Sequence, residues 1–182
     1  MKKLEKFLDL MTGHFDNKEQ FSEMIAEGKP YPYAEHVNTV CDDKIKNLPA
    51  DLNGSFVVEE SYYKTNGTTH ASPHLFLITE TEDGVMLSSY EIPAGANKNT
   101  FSYVSMGVLD YRELKKSEKF TPAIYREKDG VWEGDSISQF SPVMTFKLWE
   151  RFSEQCLEVS ESMEVNGKRT FGYDEPIIYK RV

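Results

Sequence analysis

The sequence predicts a mainly β protein, an antiparallel barrel behind short N-terminal helices. Turn dipeptides recur at short intervals: Asn53-Gly54, Asn66-Gly67, Asp83-Gly84, Asp129-Gly130 and Asn166-Gly167. Asn-Gly and Asp-Gly favour tight hairpins because the central residues need positive φ. The runs between them are strand-like, and helical spacing is confined to residues 1–30. Many consecutive antiparallel strands suggest a closed or nearly closed barrel. Hairpin counting alone leaves a β-sandwich open.

Taken in order, Leu4, Phe7, Leu8 and Met11 follow the i, i+3, i+4, i+7 spacing of an amphipathic helix. Gly13 stands where a C-cap glycine would. Asp16 with Glu19 three positions on reads as an N-cap and its capping-box partner. Phe21, Met24 and Ile25 give a second helix its stripe, and Gly28 and Pro30 end it. This makes His14, Asp16 and Glu19 a turn between helices rather than a metal site. Nine strand-like runs follow: SFVVEESYYKT, HLFLITETE, VMLSSYEI, AIYREK, VWEGDSISQF, VMTFKLWERF, CLEVSESMEV, KRTFGY and IIYKRV. Ser105 to Phe120 interrupts them and has room for a short helix. No linker divides residues 1–182, so one domain is expected.

Bulk chemistry narrows the function. A net charge of −9 argues against nucleic acid as the main partner, since phosphate binding needs a basic face. No apolar run is long enough to span a membrane. The N-terminus has charges inside its apolar stretch and no small-residue cleavage site, so a cytoplasmic protein is expected. Two cysteines, Cys41 and Cys156, make no disulfide framework.

The candidate chemistry is that of binding. In FVVEESYY, Phe56, Val58, Glu60 and Tyr62 share one face, and Val57, Glu59, Ser61 and Tyr63 the other. Neither face is purely apolar. A ligand cavity with a few polar groups explains this, as does a water-filled rim. No Gly-rich phosphate loop, GxSxG or HExxH occurs. His70 and His74 share a hairpin arm, but Pro73 between them disrupts regular pairing. Cys41 and His36, five apart on one strand, would face opposite ways.

Several segments, in chain order, resemble the T-type phycobiliprotein lyases (the CpcT/CpeT family). MTGHFDNKEQF resembles that family's G-x-F-x-N-x-E-Q opening, and YPYAEHVNTV its aromatic-rich segment with a histidine, here His36. FVVEESYY resembles its L-x-x-E-Q-x-Y strand at Glu59 and Tyr62, and SSYEI its x-x-Y-x-I strand at Tyr90. FGYDEPIIYKRV resembles its W-G-x-x-x-G-P-Y-x-F-x-K ending at Gly172, Pro176 and Lys180.

The resemblance implies a calycin- or lipocalin-like barrel that binds a linear tetrapyrrole, phycoerythrobilin or phycocyanobilin, without a metal. It implies attachment of that bilin through a thioether to a cysteine of a phycobiliprotein β-subunit, with other lyases as further partners. Such a ligand needs carboxylate acceptors for its pyrrole N–H groups, aromatic walls, and cations for two propionates. Expected bilin-binding residues are His36, Glu59, Glu60, Tyr62, His74, Phe76, Tyr90, Arg126, Glu164, Arg169 and Phe171. Where the family has a Y-R-x-R strand this chain reads Pro73 to Phe76, with His74 and Phe76 at the arginine positions. The family's S-W-D-R-G segment corresponds to Ser160–Gly167, where Glu161 and Glu164 are the available acids. A carrier that binds a bilin without transferring it, and a lipocalin-like binder of another amphipathic molecule, remain alternatives.

Overall fold

The computed structural model describes residues 2–182. In chain order it comprises α1 (Lys3–Met11), β1 (Gly13–Asp16), α2 (Lys18–Ala26), β2 (Tyr33–Val40), β3 (Ile45–Lys46), β4 (Gly54–Thr65), β5 (Thr68–Glu80) and β6 (Val85–Tyr90). It continues with β7 (Leu109–Asp110), β8 (Ala123–Lys128), β9 (Val131–Ser141), β10 (Met144–Phe152), β11 (Leu157–Val165), β12 (Lys168–Phe171) and β13 (Ile177–Arg181). Ten antiparallel strands close into a barrel in the order β10-β9-β8-β6-β5-β4-β2-β1-β13-β11, with β11 returning to β10. The architecture is the calycin- or lipocalin-like barrel expected, with two short helices.

The opening stretch is not a turn. Gly13–Asp16 is a strand that pairs with β2 on one side and β13 on the other. The C-cap of α1 is Thr12, and the N-cap of α2 is Asn17. Asp16 accepts a bond from the Lys18 backbone N–H at 3.1 Å, and Glu19 pairs with Lys180 instead of completing a capping box. The apolar stripe of α1 behaves as expected, with Phe7 and Met11 buried. That of α2 does not: Ile25 is half exposed, and the buried residue is Gln20. The Gln20 amide donates to Pro176 O and accepts from Ile178 N, both at 2.9 Å, stitching α2 onto β13.

Three of the turn dipeptides make hairpins of the expected kind, with both residues at positive φ: Asn66-Gly67, Asp129-Gly130 and Asn166-Gly167. Gly54 and Gly84 serve close approach. A Cβ on Gly84 would lie 2.0 Å from the Tyr125 carbonyl oxygen. Pro73 does not break β5, which pairs with β4 continuously from Thr68 to Thr79, Pro73 lying opposite Glu60. The KRTFGY run gives β12, which pairs only with β11 and stays outside the barrel wall. Between Ser105 and Phe120 there is a single 3-10 turn, Tyr111–Glu113, beside the small parallel pair β3–β7.

Two apolar clusters result. Inside the barrel, α1 plugs one end, and Phe7 packs against Tyr125, Trp132 and Phe152 with ring centroids 4.9–5.5 Å apart. Outside, Phe101, Met106, Leu109, Tyr111 and Leu114 cover Phe56, Val58, Leu75 and Leu77. Strands β4 and β5 are therefore covered on both faces, which is why neither face of FVVEESYY reads as solvent-facing. Truncating Phe7 to Ala would empty the centre of the plug, and we expect a loss of about 3–5 kcal/mol. Urea unfolding of the variant measures this; a change under about 1 kcal/mol would show that α1 is dispensable to the core.

Candidate functional site

The interior above the plug is polar. Alternation along β2 turns Ala34, His36 and Asn38 inward. On β4 it turns Val57, Glu59, Ser61 and Tyr63 inward, and on β5 His74 and Phe76. Strand β10 contributes Phe146, Leu148 and Glu150, β11 contributes Val159 and Glu161, and β13 contributes Tyr179. Gly134 on β9 leaves room for the Tyr125 ring, since a Cβ there would lie 2.7 Å from it. That ring carries its hydroxyl to Glu150, to which it donates.

Three carboxylates thus meet around a cavity of about 50 Å³, whose lining includes Glu59, Glu150, Glu161, His74, Ser136 and Phe120 and no lysine or arginine. Burial raises all three acids. Glu59 goes well above the usual carboxylate range, pushed further by Glu150 and Glu161. Glu150 reaches about 7, burial outweighing the Tyr125 hydrogen bond. Glu161 is raised by burial and partly restrained by Tyr63, whose hydroxyl donates to it at 3.2 Å. The histidines move the other way: burial lowers His36 to about 3 and His74 to about 4. His36 Nδ1 lies 3.6 Å from Glu59 Oε2, burial holding the histidine neutral and raising the carboxyl.

Three inward polar atoms have no hydrogen-bond partner: His36 Nε2, Asn38 Oδ1 and the Tyr179 hydroxyl. The His36 and Tyr179 rings overlap at 4.3 Å. An unmade buried hydrogen bond costs about 1–3 kcal/mol, so such atoms mark where a ligand or water would bind. Above the cavity, Phe120 stands against Phe140 and Phe146 at 5.0 and 5.7 Å, with Lys119 over the Phe140 ring. Phe120, His74 and Ser89 also line an outer depression of about 270 Å³ that includes Lys98 and Lys119. Phe120 therefore stands where the interior and an outer mouth adjoin.

The expected residues divide cleanly. His36, Glu59, His74 and Phe76 lie together inside, with the His74 and Phe76 rings stacked at 5.4 Å as neighbours two apart on one face. Glu60 and Tyr62 point outward: Tyr62 donates to Glu60, which also accepts from the Tyr103 backbone N–H. Tyr90 packs in the outer cluster against Phe56. Glu164 pairs outside with Lys147 at 2.6 Å, while Glu161 takes the inward position. Arg126 is exposed, Arg169 pairs with Asp174, and Phe171 is 47% exposed. Cys41 lies in the outer cluster, on the other face of the wall from His36.

Sequence reasoning missed Glu150, Tyr125, Tyr179 and the mouth lysines. A usable signal existed for Glu150, an acid at an inward position of VMTFKLWERF between Leu148 and Phe152. No protein-family model matches the chain, and no curated protein matches it either.

The carboxylates set a pH dependence. An acid whose folded pKa is raised binds its proton more tightly when folded, so stability is lost as pH rises from 4.5 through about 7 for Glu150, and further for Glu59. The lowered histidines act oppositely, costing stability as pH falls from 6.5 towards about 4 for His74 and about 3 for His36. Between the ordinary histidine range and that of cysteine and tyrosine the raised acids set the trend, and stability should decline. We expect Glu150→Gln to flatten that decline in denaturation midpoints measured across neutral pH. An unchanged slope would place the titration elsewhere.

Proposed function

We propose that the barrel binds a linear tetrapyrrole non-covalently and presents it for thioether attachment to a cysteine of a phycobiliprotein β-subunit. The observation that carries this reading is the acceptor-rich interior: Glu59, Glu150 and Glu161 around one cavity without a cation, beside the unpartnered His36 and Tyr179. Such a lining calls for a ligand rich in N–H donors that also fills aromatic space. Pyrrole nitrogens meet the first need and a conjugated chain of rings the second, with Phe76, Phe120 and Phe146 as walls. The ordered resemblance to the T-type lyases points to the same ligand class.

The cavity of about 50 Å³ is far below the ~300–1,000 Å³ of drug-sized sites. Binding a bilin therefore requires Phe120 to move and join the interior to the outer mouth. The propionates then reach Lys98 and Lys119 there, rather than Arg126 or Arg169. The chain itself is poorly equipped as nucleophile. Burial, with Asp42 and Asp43 adding to it, pushes the Cys41 thiol up to about 12, and Cys41 sits outside the cavity. The acceptor supplies the sulfur: a C–S bond forms at the ethylidene carbon, the thiol proton passes to the conjugated system, and nothing is expelled.

A second reading follows from the same small volume. The three acids suit a compact amphipathic ammonium ligand that needs no opening of Phe120.

Co-expression with phycocyanobilin or phycoerythrobilin synthesis should give a coloured protein at about one bilin per chain, released on denaturation. Glu59→Gln should shift the absorbance and reduce fluorescence. A colourless product with both bilins would overturn the reading. Incubation with apo β-subunit then separates carrier from lyase. With His74 and Phe76 in place of two arginines, we expect slow attachment, since about 1 Å of misplacement can cost on the order of a hundredfold in rate. Fast, complete transfer would refute that expectation.

A further inference from the structure

A second concave site lies outside the barrel, where α2, the Pro30–Tyr33 segment, the β4–β5 hairpin tip and Tyr173 converge. Its volume is about 620 Å³, within the ~300–1,000 Å³ typical of small-molecule sites. Aromatic rings reach it from three separate stretches of chain. Phe21 comes from α2, Tyr31 and Tyr33 from the entry to β2, and Tyr173 from the segment before β13. Tyr31 and Tyr173 meet at 5.1 Å, and Phe21 meets Tyr33 edge-on at 5.8 Å. These tyrosines belong to the apolar patch that also leaves Ile25 half exposed. Compact domains leave such patches open chiefly where something binds.

The groove's lining differs in charge from the barrel's, with Asp16 and Glu35 lying behind it as acceptors of the Tyr33 hydroxyl. Its lining includes a single ionised side chain, Lys64, and no carboxylate, in a chain of net charge −9. Among the described residues Lys64 forms no ion pair. The Tyr31 hydroxyl adds a donor, in a 3.5 Å contact with Pro176 O. Ring faces favour a flat conjugated ligand, and one free ammonium with one loosely held hydroxyl favours an anionic group at its end.

We propose that this outer groove is a second binding site, separate from the barrel interior, for a flat, conjugated small molecule carrying an anionic group. The proposal does not depend on what the interior binds.

The probe is 8-anilino-1-naphthalenesulfonate, a flat aromatic anion whose fluorescence rises on binding, titrated into the whole protein. One site per chain is expected. Lys64→Glu, at an exposed hairpin position that leaves the core intact, and Tyr173→Ala should each weaken binding about tenfold or more. Arg126→Glu, on the distant β8, should not. Circular dichroism melts establish that the variants are folded, and Lys64→Glu alone suffices if Tyr173→Ala is not. No binding by wild type overturns the proposal. So does an affinity unchanged in Lys64→Glu, or one altered by Phe120→Ala and by neither groove variant, which would place the probe inside the barrel.

Discussion

Closure of the sheet is the constraint on which the rest depends. Without β1 the sheet would be an open ribbon whose first and last strands, β2 and β13, offered unpaired backbone to water. Four residues, Gly13–Asp16, bridge them, pairing Phe15 with both His36 and Arg181. Closure removes the edges and excludes water from the interior. Exclusion of water in turn raises Glu59, Glu150 and Glu161 and lowers His36 and His74. The same carboxylates on an open sheet would be ordinary ionised groups, and the site chemistry would vanish with the seal.

The architecture was legible because its signals are local. Asn-Gly and Asp-Gly hairpins and long alternating runs identify eight of the barrel strands in order. The two absent from the nine strand-like runs are informative. β1 has only four residues, too few to display a period of two, and Asp16 with Glu19 imitates a helix start. β2 alternates well, but its inward residues include His36 and Asn38, so a hydropathy reading sees no apolar face. A strand was hidden because it carries part of the site, as expected where function overrides local consistency.

Site residues were harder because one slip of face inverts a list. Glu59 and Glu60 are equivalent in composition, yet one faces the cavity and the other bonds Tyr62 and Tyr103 outside. The expectation that a polar strand face implies a cavity also met a competing cause. The segment from Phe101 to Leu114 buries the outer face of β4 and β5 under a second cluster. A single chain does not announce which loops will fold back over a sheet. Nor did it suggest that the cations at the mouth would be lysines from connecting loops, Lys98 and Lys119, rather than arginines on strands.

The seam has a kinetic side. Arg181 donates to the carbonyls of Thr12, Asp9 and Leu10, capping the last turn of α1 across separations of 169 to 172 residues. The Phe15 ring lies beneath its guanidinium. Contacts this distant along the chain form only after the intervening loop has been closed, and that entropy must be met before the contacts return anything. Strands β4 to β6 and β8 to β11 can assemble through neighbouring hairpins, but the lock between the two ends comes last. Until then the partly formed sheet exposes two strand edges at once. The population at risk of aggregation is therefore a nearly complete barrel still open along one line, rather than a largely unfolded chain.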